Sequence, residues 1–318
     1  MEYLARNTEL RADPALLLPG AKSAIMVADL YHAREVTTDP SVSASIERNP
    51  PAGKIARYAR GRDYHKVMKK RLHSLCDELK ARHPSAEFRA FVDTAPLMER
   101  EIAQLAGLGW IGKHTLLIHP RIGSYMLLGG ILTTLDIATE SAPVVDHCGT
   151  CTRCIDACPT DAISPYSVDA SRCISYLTIE NRGPIDSRFH EAMGDWLYGC
   201  DICQEVCPHN SPRPPDANVG RINEEYTPRQ ESLPLLEVLR WTNDDRVNTF
   251  AGTAMTRATL EMMKRNAVIV AGNAIRNGCP EPHRSDLLKR LRELAGDHVD
   301  SPALANLAAA TLRRLNSE

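Results

Sequence analysis

The chain contains no long uninterrupted apolar run, so no segment of it is expected to cross a membrane as a helix. Its opening MEYLARNTEL carries neither an apolar signal core nor a twin arginine, so export is not expected and the cytoplasm is the expected compartment. No charge sign dominates: 38 Lys and Arg face 40 Asp and Glu, for a net charge of -2. That balance excludes a basic nucleic-acid coat protein and an acidic disordered chain. A reducing compartment also removes a disulfide framework as the use of its thiols. The radical SAM triplet C-x3-C-x2-C is missing, because its third position falls on Asp161 after Cys154 and Cys158, and on Asn210 after Cys203 and Cys207.

What the chain does have is ten cysteines in 318 residues. Two stand apart. Cys76 falls on the apolar stripe Met68, Leu72, Leu75, Cys76 and Leu79 of a helix and reads as a small core residue. Cys279, between Gly278 and Pro280, reads as structural at a helix end. The other eight divide into two fours. CGTCTRCIDACP places Cys148, Cys151, Cys154 and Cys158 at the spacing C-x2-C-x2-C-x3-C-P, the bacterial ferredoxin run whose fourth cysteine reaches across to the other cluster. CDICQEVCP supplies Cys200, Cys203 and Cys207, and Cys173 replaces the cysteine that run has lost. Crossed ligation then gives one cluster Cys148, Cys151, Cys154 and Cys207, and the other Cys158, Cys173, Cys200 and Cys203. Paired zinc sites are the alternative. Three cysteines at two-residue gaps followed by C-x3-C-P, twice in variant form, are more specific to iron–sulfur.

The expected fold is mixed α+β in three parts: an α/β domain over 1–143, a ferredoxin-like two-cluster module over 144–212 and a helical, HEAT-like region over 213–318. Strands are expected at 23–31, 87–93, 115–120 and 124–137, with helices at 63–82 and 95–106 between them. Pro212, Pro214 and Pro215 mark the change to helices at 232–241, 245–264, 266–276, 283–295 and 301–316, with breaks at Asn277-Gly278 and Asp300-Ser301. Two stretches suggest a site. FVDTAPLMEREIAQLAGLGWIGK ends a strand at Asp93, which spacing alone makes a helix cap and which could otherwise serve as a general acid. Its Gly107, Gly109 and Gly112 make turns or admit a ligand. Residues 54 to 82 are basic, and Arg57, Arg60, Lys66, Lys69 and Lys70 form a patch suited to phosphates.

Several motifs in order resemble the epoxyqueuosine reductases of tRNA modification: ARYARGRDYHKVMKKRL, FVDTAPLMER, GLGWIGKHT, CGTCTRCIDACPTDAI, RCISYLTIE, YGCDICQEVCPHN and MKRNAVIVAGN. The resemblance runs from the first residues to about residue 277. It implies reduction of epoxyqueuosine to queuosine at the tRNA wobble position, with cobalamin, two [4Fe–4S] clusters and an external electron donor; a monomer is the default expectation. The N-terminal domain would then resemble the cobalamin domain of reductive dehalogenases. The resemblance makes Asp93 the proton donor. It places Tyr64, His65, Trp110, Lys113, His114, Leu117, Leu128, Ser175 and Tyr176 around the corrin. It implies base-off cobalamin without a protein histidine on cobalt, and D-x-H-x-x-G is absent here: the stretch from Asp63 ends in Met68. The family's W-I-G-K-N reads W-I-G-K-H, with His114 in the last position. Family members carry a further helical segment upstream of the part that matches MEYLAR. A corrinoid dehalogenase, a plain electron carrier and a zinc-stabilised nucleic-acid module are the rival readings.

Overall fold

The structure, a computed structural model, describes residues 7–32, 50–138, 142–211, 222–296 and 301–317. Residues 1–6 (MEYLAR), the prolines at 212, 214 and 215, the boundary expected at 212/213 and Asp300 lie outside these. A short helix α1 (Thr8–Ala12) precedes an antiparallel sheet of β1 (Ser23–Leu30), β6 (Met126–Thr133) and β3 (Phe88–Val92), in the order β1-β6-β3. The central strand β6, MLLGGILT, is almost wholly buried, as its apolar run demands. Helix α2 (Tyr64–Arg82) covers one face, starting at Asp63, whose side chain accepts the His65 amide. It buries Tyr64, Met68, Leu72 and Cys76, one residue per turn. A side chain at Gly129 would meet the Met68 methyl at 2.9 Å, so helix and sheet meet through that glycine. Cys76 is a core residue, as its spacing implies.

A second sheet joins the three expected parts. Strand β2 (Ala52–Ile55) runs parallel to β9 (Trp196–Tyr198) of the cysteine-rich segment and antiparallel to β10 (Ser232–Pro234) from the C-terminal part. Helix α3 (Glu99–Leu105) packs on the first sheet and on the hairpin of β4 (Trp110–Ile111) and β5 (Leu117–Ile118), and a set of short elements forms the cysteine-rich segment. These are α4 (Arg153–Asp156), the hairpin β7 (Ile163–Ser164) and β8 (Ser167–Val168), α5 (Ile174–Ile179) and α6 (Ile202–Glu205). The C-terminal part is α7 (Leu235–Arg240), α8 (Asn243–Phe250), α9 (Leu260–Arg276), α10 (His283–Leu294) and α11 (Pro302–Asn316).

Two helix expectations are corrected. The helices expected at 245–264 and 266–276 divide elsewhere. α8 stops at Phe250, because Gly252 takes a left-handed φ of 70°, and α9 starts afresh at Leu260 with Thr259 accepting the Met262 amide. The helix expected from 95 starts at Glu99, and its N-cap position is Met98, not Asp93.

Helix α9 explains the motif MKRNAVIVAGN. Asn266, fully buried, donates to the Thr178 and Leu197 carbonyls, each at 3.0 Å. Arg265 reaches the carbonyls of Leu177, Asn181 and Gly183, and Asn273 those of His190 and Gly194. The helix therefore satisfies backbone acceptors of the cysteine-rich segment, which an apolar helix would leave buried and unpaired. Asn266→Leu is expected to destabilise the fold by about 2–4 kcal/mol, since two buried carbonyls lose their donor. Denaturant unfolding measures this, and an unchanged midpoint would contradict it.

Candidate redox and active site

The eight clustered cysteines separate into two sets of four. Cys148, Cys151, Cys154 and Cys207 line one small cavity of about 40 Å³. Cys158, Cys173, Cys200 and Cys203 line another wall, that of a larger cavity of about 450 Å³. Burial pushes the Cys154 and Cys207 thiols up, and each also feels Cys148 and Cys151; burial pushes Cys200 and Cys203 up likewise, and both feel Cys173. Lone thiols in such settings resist ionisation, and bound cationic iron supplies the charge that reverses this. Among the described residues no group of His, Cys, Asp and Glu converges tightly enough to hold a single metal ion. The thiols of each set surround a space, which fits a multi-iron cluster. The sulfurs also have donors nearby, as in the Ala162 amide that reaches the Cys158 sulfur at 3.3 Å.

The cluster loops are held from outside. Lys113 donates to the carbonyls of Gly149 at 2.7 Å and Cys151 at 3.0 Å. Trp110 packs edge-on to His147 and His209, beside Cys148 and Cys207. Asn210 accepts the Ser124 amide at 2.7 Å and donates to the Ser124 hydroxyl and the Gln204 carbonyl. Arg57 lies between Asp201 and Glu205 in the second cysteine run.

The larger cavity opens from the Cys158, Cys173, Cys200 and Cys203 wall towards the end of β3. Leu117, Leu127 and Leu128 form apolar wall, and Tyr64, Asp93, Glu99, His114 and Ser175 add polar groups. Asp93, half exposed, is held by neighbours from α2: the Tyr64 hydroxyl donates to Oδ2, and His65 Nε2 lies 2.9 Å from Oδ1. His65 Nδ1 is in turn 2.7 Å from Asp63. Desolvation pushes the Asp93 carboxyl up, but hydrogen bonds from His65 and Tyr64 outweigh it and hold it below the usual carboxylate range. Desolvation lowers His65, and its bonds to Asp93 and Asp63 outweigh that and raise it. The pair therefore shares one proton, seated mainly on the imidazole. Asp93 caps no helix.

His114 is buried, and burial with the Arg100 charge drives its ring down to about 4, so it is neutral near pH 7. Its Nδ1 accepts the Leu116 amide at 3.2 Å, leaving a buried Nε2 without a partner. The ring borders both cavities.

The expected site residues therefore separate. Tyr64, His114, Leu117, Leu128 and Ser175 line the large cavity. His65 acts on Asp93 from behind. Trp110 and Lys113 do not line it: they support the first cysteine loop, because the hairpin carrying them turns that way. Tyr176 packs into the core around Ile174 and Phe189 instead. Gly109 is a packing position: a side chain there would meet the Ile118 carbonyl at 2.2 Å, so it serves the hairpin and not a ligand. The basic patch divides too. Arg57 is in the internal ion pairs above, and Arg60 donates to the Ile55 carbonyl and faces Glu231. Both are spent inside the fold and leave the expected phosphate face. Lys66, Lys69 and Lys70 remain exposed on α2, with no ion pair among the described residues. Glu99 and Asp63 were not singled out in the sequence, although both lie in the quoted motifs.

Two cysteine tetrads, one of them in the wall of a deep apolar cavity with a hydrogen-bonded carboxylate, define an iron–sulfur redox protein. Comparison with known proteins gives this class its particulars. Residues 147–210 match the 4Fe-4S double cluster binding domain, and residues 11–94 match the family described as epoxyqueuosine reductase QueG, DUF1730. The epoxyqueuosine reductase of Escherichia coli (strain K12) is 38% identical over 301 residues, covering 94% of this chain and 75% of the relative. That of Pseudomonas aeruginosa is 38% identical over 310 residues, covering 94% and 81%. A solved Bacillus subtilis epoxyqueuosine reductase, its catalytic loop swung out of the active site, superposes with TM-score 0.81 at 30% identity, covering 95% of this chain and 76% of that one. An epoxyqueuosine reductase solved with an epoxyqueuosine-modified tRNA-Tyr stem loop gives TM-score 0.79 at 30% identity, covering 96% of this chain and 76% of that one. The chain belongs to the epoxyqueuosine reductase family.

Proposed function

We propose that the protein reduces epoxyqueuosine to queuosine at the wobble position of tRNA, using two [4Fe–4S] clusters and cobalamin. The observation that carries this is the shared cavity, which has four cluster cysteines on one wall and Asp93 on another. The relatives' names and the neighbour solved with an epoxyqueuosine-modified stem loop support the substrate. The cavity's walls suit a corrin: Leu117, Leu127 and Leu128 are apolar, and the second tetrad adjoins. When bound there, cobalamin supplies a strongly nucleophilic reduced metal centre. The chain's residues do the rest. Ser175, two residues after Cys173, lines the cavity beside the second tetrad and would adjoin a corrin held there. At the cavity mouth His65 holds the proton, and the Asp93 carboxylate bonded to it relays that proton to the epoxide oxygen. The two tetrads would hold the clusters, which would take electrons singly from an external low-potential donor.

The test is anaerobic reconstitution with iron, sulfide and cobalamin, then incubation with a stem loop carrying epoxyqueuosine and a chemical reductant. About eight irons per chain and conversion to queuosine are expected. A full iron complement with retained cobalamin and no conversion would refute the substrate.

Exposed Lys66, Lys69 and Lys70 lie beside a groove of about 730 Å³ that Lys66 and Lys70 line with Arg229 and with two ion pairs, Arg62–Glu225 and Arg71–Asp29. They are the backbone contacts we assign to tRNA. Replacing all three by alanine is expected to weaken stem-loop binding and to reduce the slope of log affinity against log salt by about 2–3. An unchanged slope would place the tRNA elsewhere.

A further inference from the structure

We propose that Glu99 supplies the second of the two protons that removal of the epoxide oxygen requires; the inference rests on the reading above. Turning an epoxide into an alkene and water consumes two electrons and two protons. The first carbon–oxygen bond breaks as the oxygen takes one proton and becomes a hydroxyl. The second breaks as that hydroxyl takes another proton and leaves as water. The electrons come from an external low-potential one-electron donor through the clusters. The Asp93–His65 pair shares only one proton to give.

Three carboxyls line the cavity: Asp93, Asp201 and Glu99. Asp201 is committed to Arg57, accepting its amide at 2.7 Å and its guanidinium at 3.2 Å. Glu99 has a buried oxygen, Oε1, with no hydrogen-bond partner. A buried carboxylate oxygen left without a donor is costly, and a carboxylic acid is not. The adjacent Arg100, which also lines the cavity, donates to the Thr115 carbonyl at 2.7 Å. The charges around Glu99 are Asp93, which opposes its ionisation, and Arg100 and Arg11, which favour it. Tyr64 and neutral His114 are further titratable groups on the cavity wall. Burial, with Asp93 adding to it, pushes Glu99 up to about 7 against the pull of its own backbone amide and the two arginines. Asp93 is driven the other way. Two carboxyls in one cavity thus differ in protonation, which divides their roles. Glu99 carries its proton below about pH 7 and has lost it above.

The experiment compares the reconstituted wild type with Glu99→Gln and Glu99→Asp by two readouts. Infrared titration of the protein without substrate should show a protonated carboxyl that disappears as pH rises through about 7 and is absent from Glu99→Gln. Single-turnover reduction of the epoxyqueuosine stem loop should fall roughly 10²-fold in Glu99→Gln. The wild-type rate should decline above about pH 7, that decline should vanish in Glu99→Gln, and Glu99→Asp should restore part of the rate. An active wild type with no titrating carboxyl, or a Glu99→Gln variant with the wild-type rate and pH profile, would overturn this inference alone. A fully loaded wild type inert towards the stem loop would overturn the functional reading, and this inference with it.

Discussion

Asp93→Ala is expected to lower the rate of epoxyqueuosine reduction by roughly 10²- to 10⁴-fold while leaving iron content unchanged. The two halves have separate causes. Asp93 contacts Tyr64 and His65 and no cysteine, so its loss does not disturb a cluster ligand. Its side chain is 47% exposed, so deleting it leaves little cavity and costs little stability. The rate falls because the transferable proton loses its anchor: His65 keeps Asp63 on Nδ1 but has nothing on Nε2 to hand the proton to. Asp93→Asn separates geometry from proton transfer. It preserves the volume and an acceptor for Tyr64 but cannot ionise, so it should be nearly as slow as alanine. His65→Gln should slow the reaction less and shift its pH dependence, because the remaining carboxylate would no longer be held low by that neighbour. Stem-loop turnover with iron analysis of each variant decides the matter. Wild-type turnover in Asp93→Ala would reduce the aspartate to a surface residue.

The second large effect concerns which thiols share a cluster. Cys154→Ala/Cys207→Ala removes two ligands from one tetrad and is expected to retain about four of about eight irons. Cys154→Ala/Cys158→Ala removes residues four apart in sequence but from different tetrads, and should lose nearly all the iron. Sequential ligation reverses these outcomes, because Cys154 and Cys158 would then serve the same cluster and Cys207 the other. The grouping of the thiols has a structural cause. The short helices α4 and α6, each following its run's two-residue gaps, pack together. The cysteine that follows each helix, Cys158 or Cys207, is thereby delivered to the cavity of the opposite run. Iron analysis and the low-temperature spin signals of the reduced variants measure the result. Equal iron loss in both double variants would favour neither arrangement and would contradict independent clusters.

Much of this molecule was legible in its sequence, unevenly. Seven of the eight clustered cysteines were, because spacings of two and three residues confine thiols to a short loop whatever surrounds it, while Cys173 entered only as the replacement for a cysteine the second run lacks. Helix α2 and strands β1, β3 and β6 were legible for a similar reason: periodicity is a property of neighbouring residues. The resemblance to the epoxyqueuosine reductases rests on the same kind of local text, and the comparisons uphold it. Functional roles of single polar residues were less legible. Spacing made Asp93 a helix cap, and the helix begins instead at Glu99. Arg57 and Arg60 counted as free positive charge, yet Arg57 meets Asp201, 144 residues away, and Arg60 turns to a backbone carbonyl and Glu231. Trp110 and Lys113, expected around the cofactor, brace the first cysteine loop, a contact that spacing does not show. Glu99 drew no attention as one charge among many on an ordinary helix. The sequence by itself determined which atoms can bind iron, since ligand spacing is a short-range property of the chain. Only the tertiary structure decided which carboxyl keeps a proton and which cations remain free, since those depend on burial and on partners brought in from distant parts of the chain.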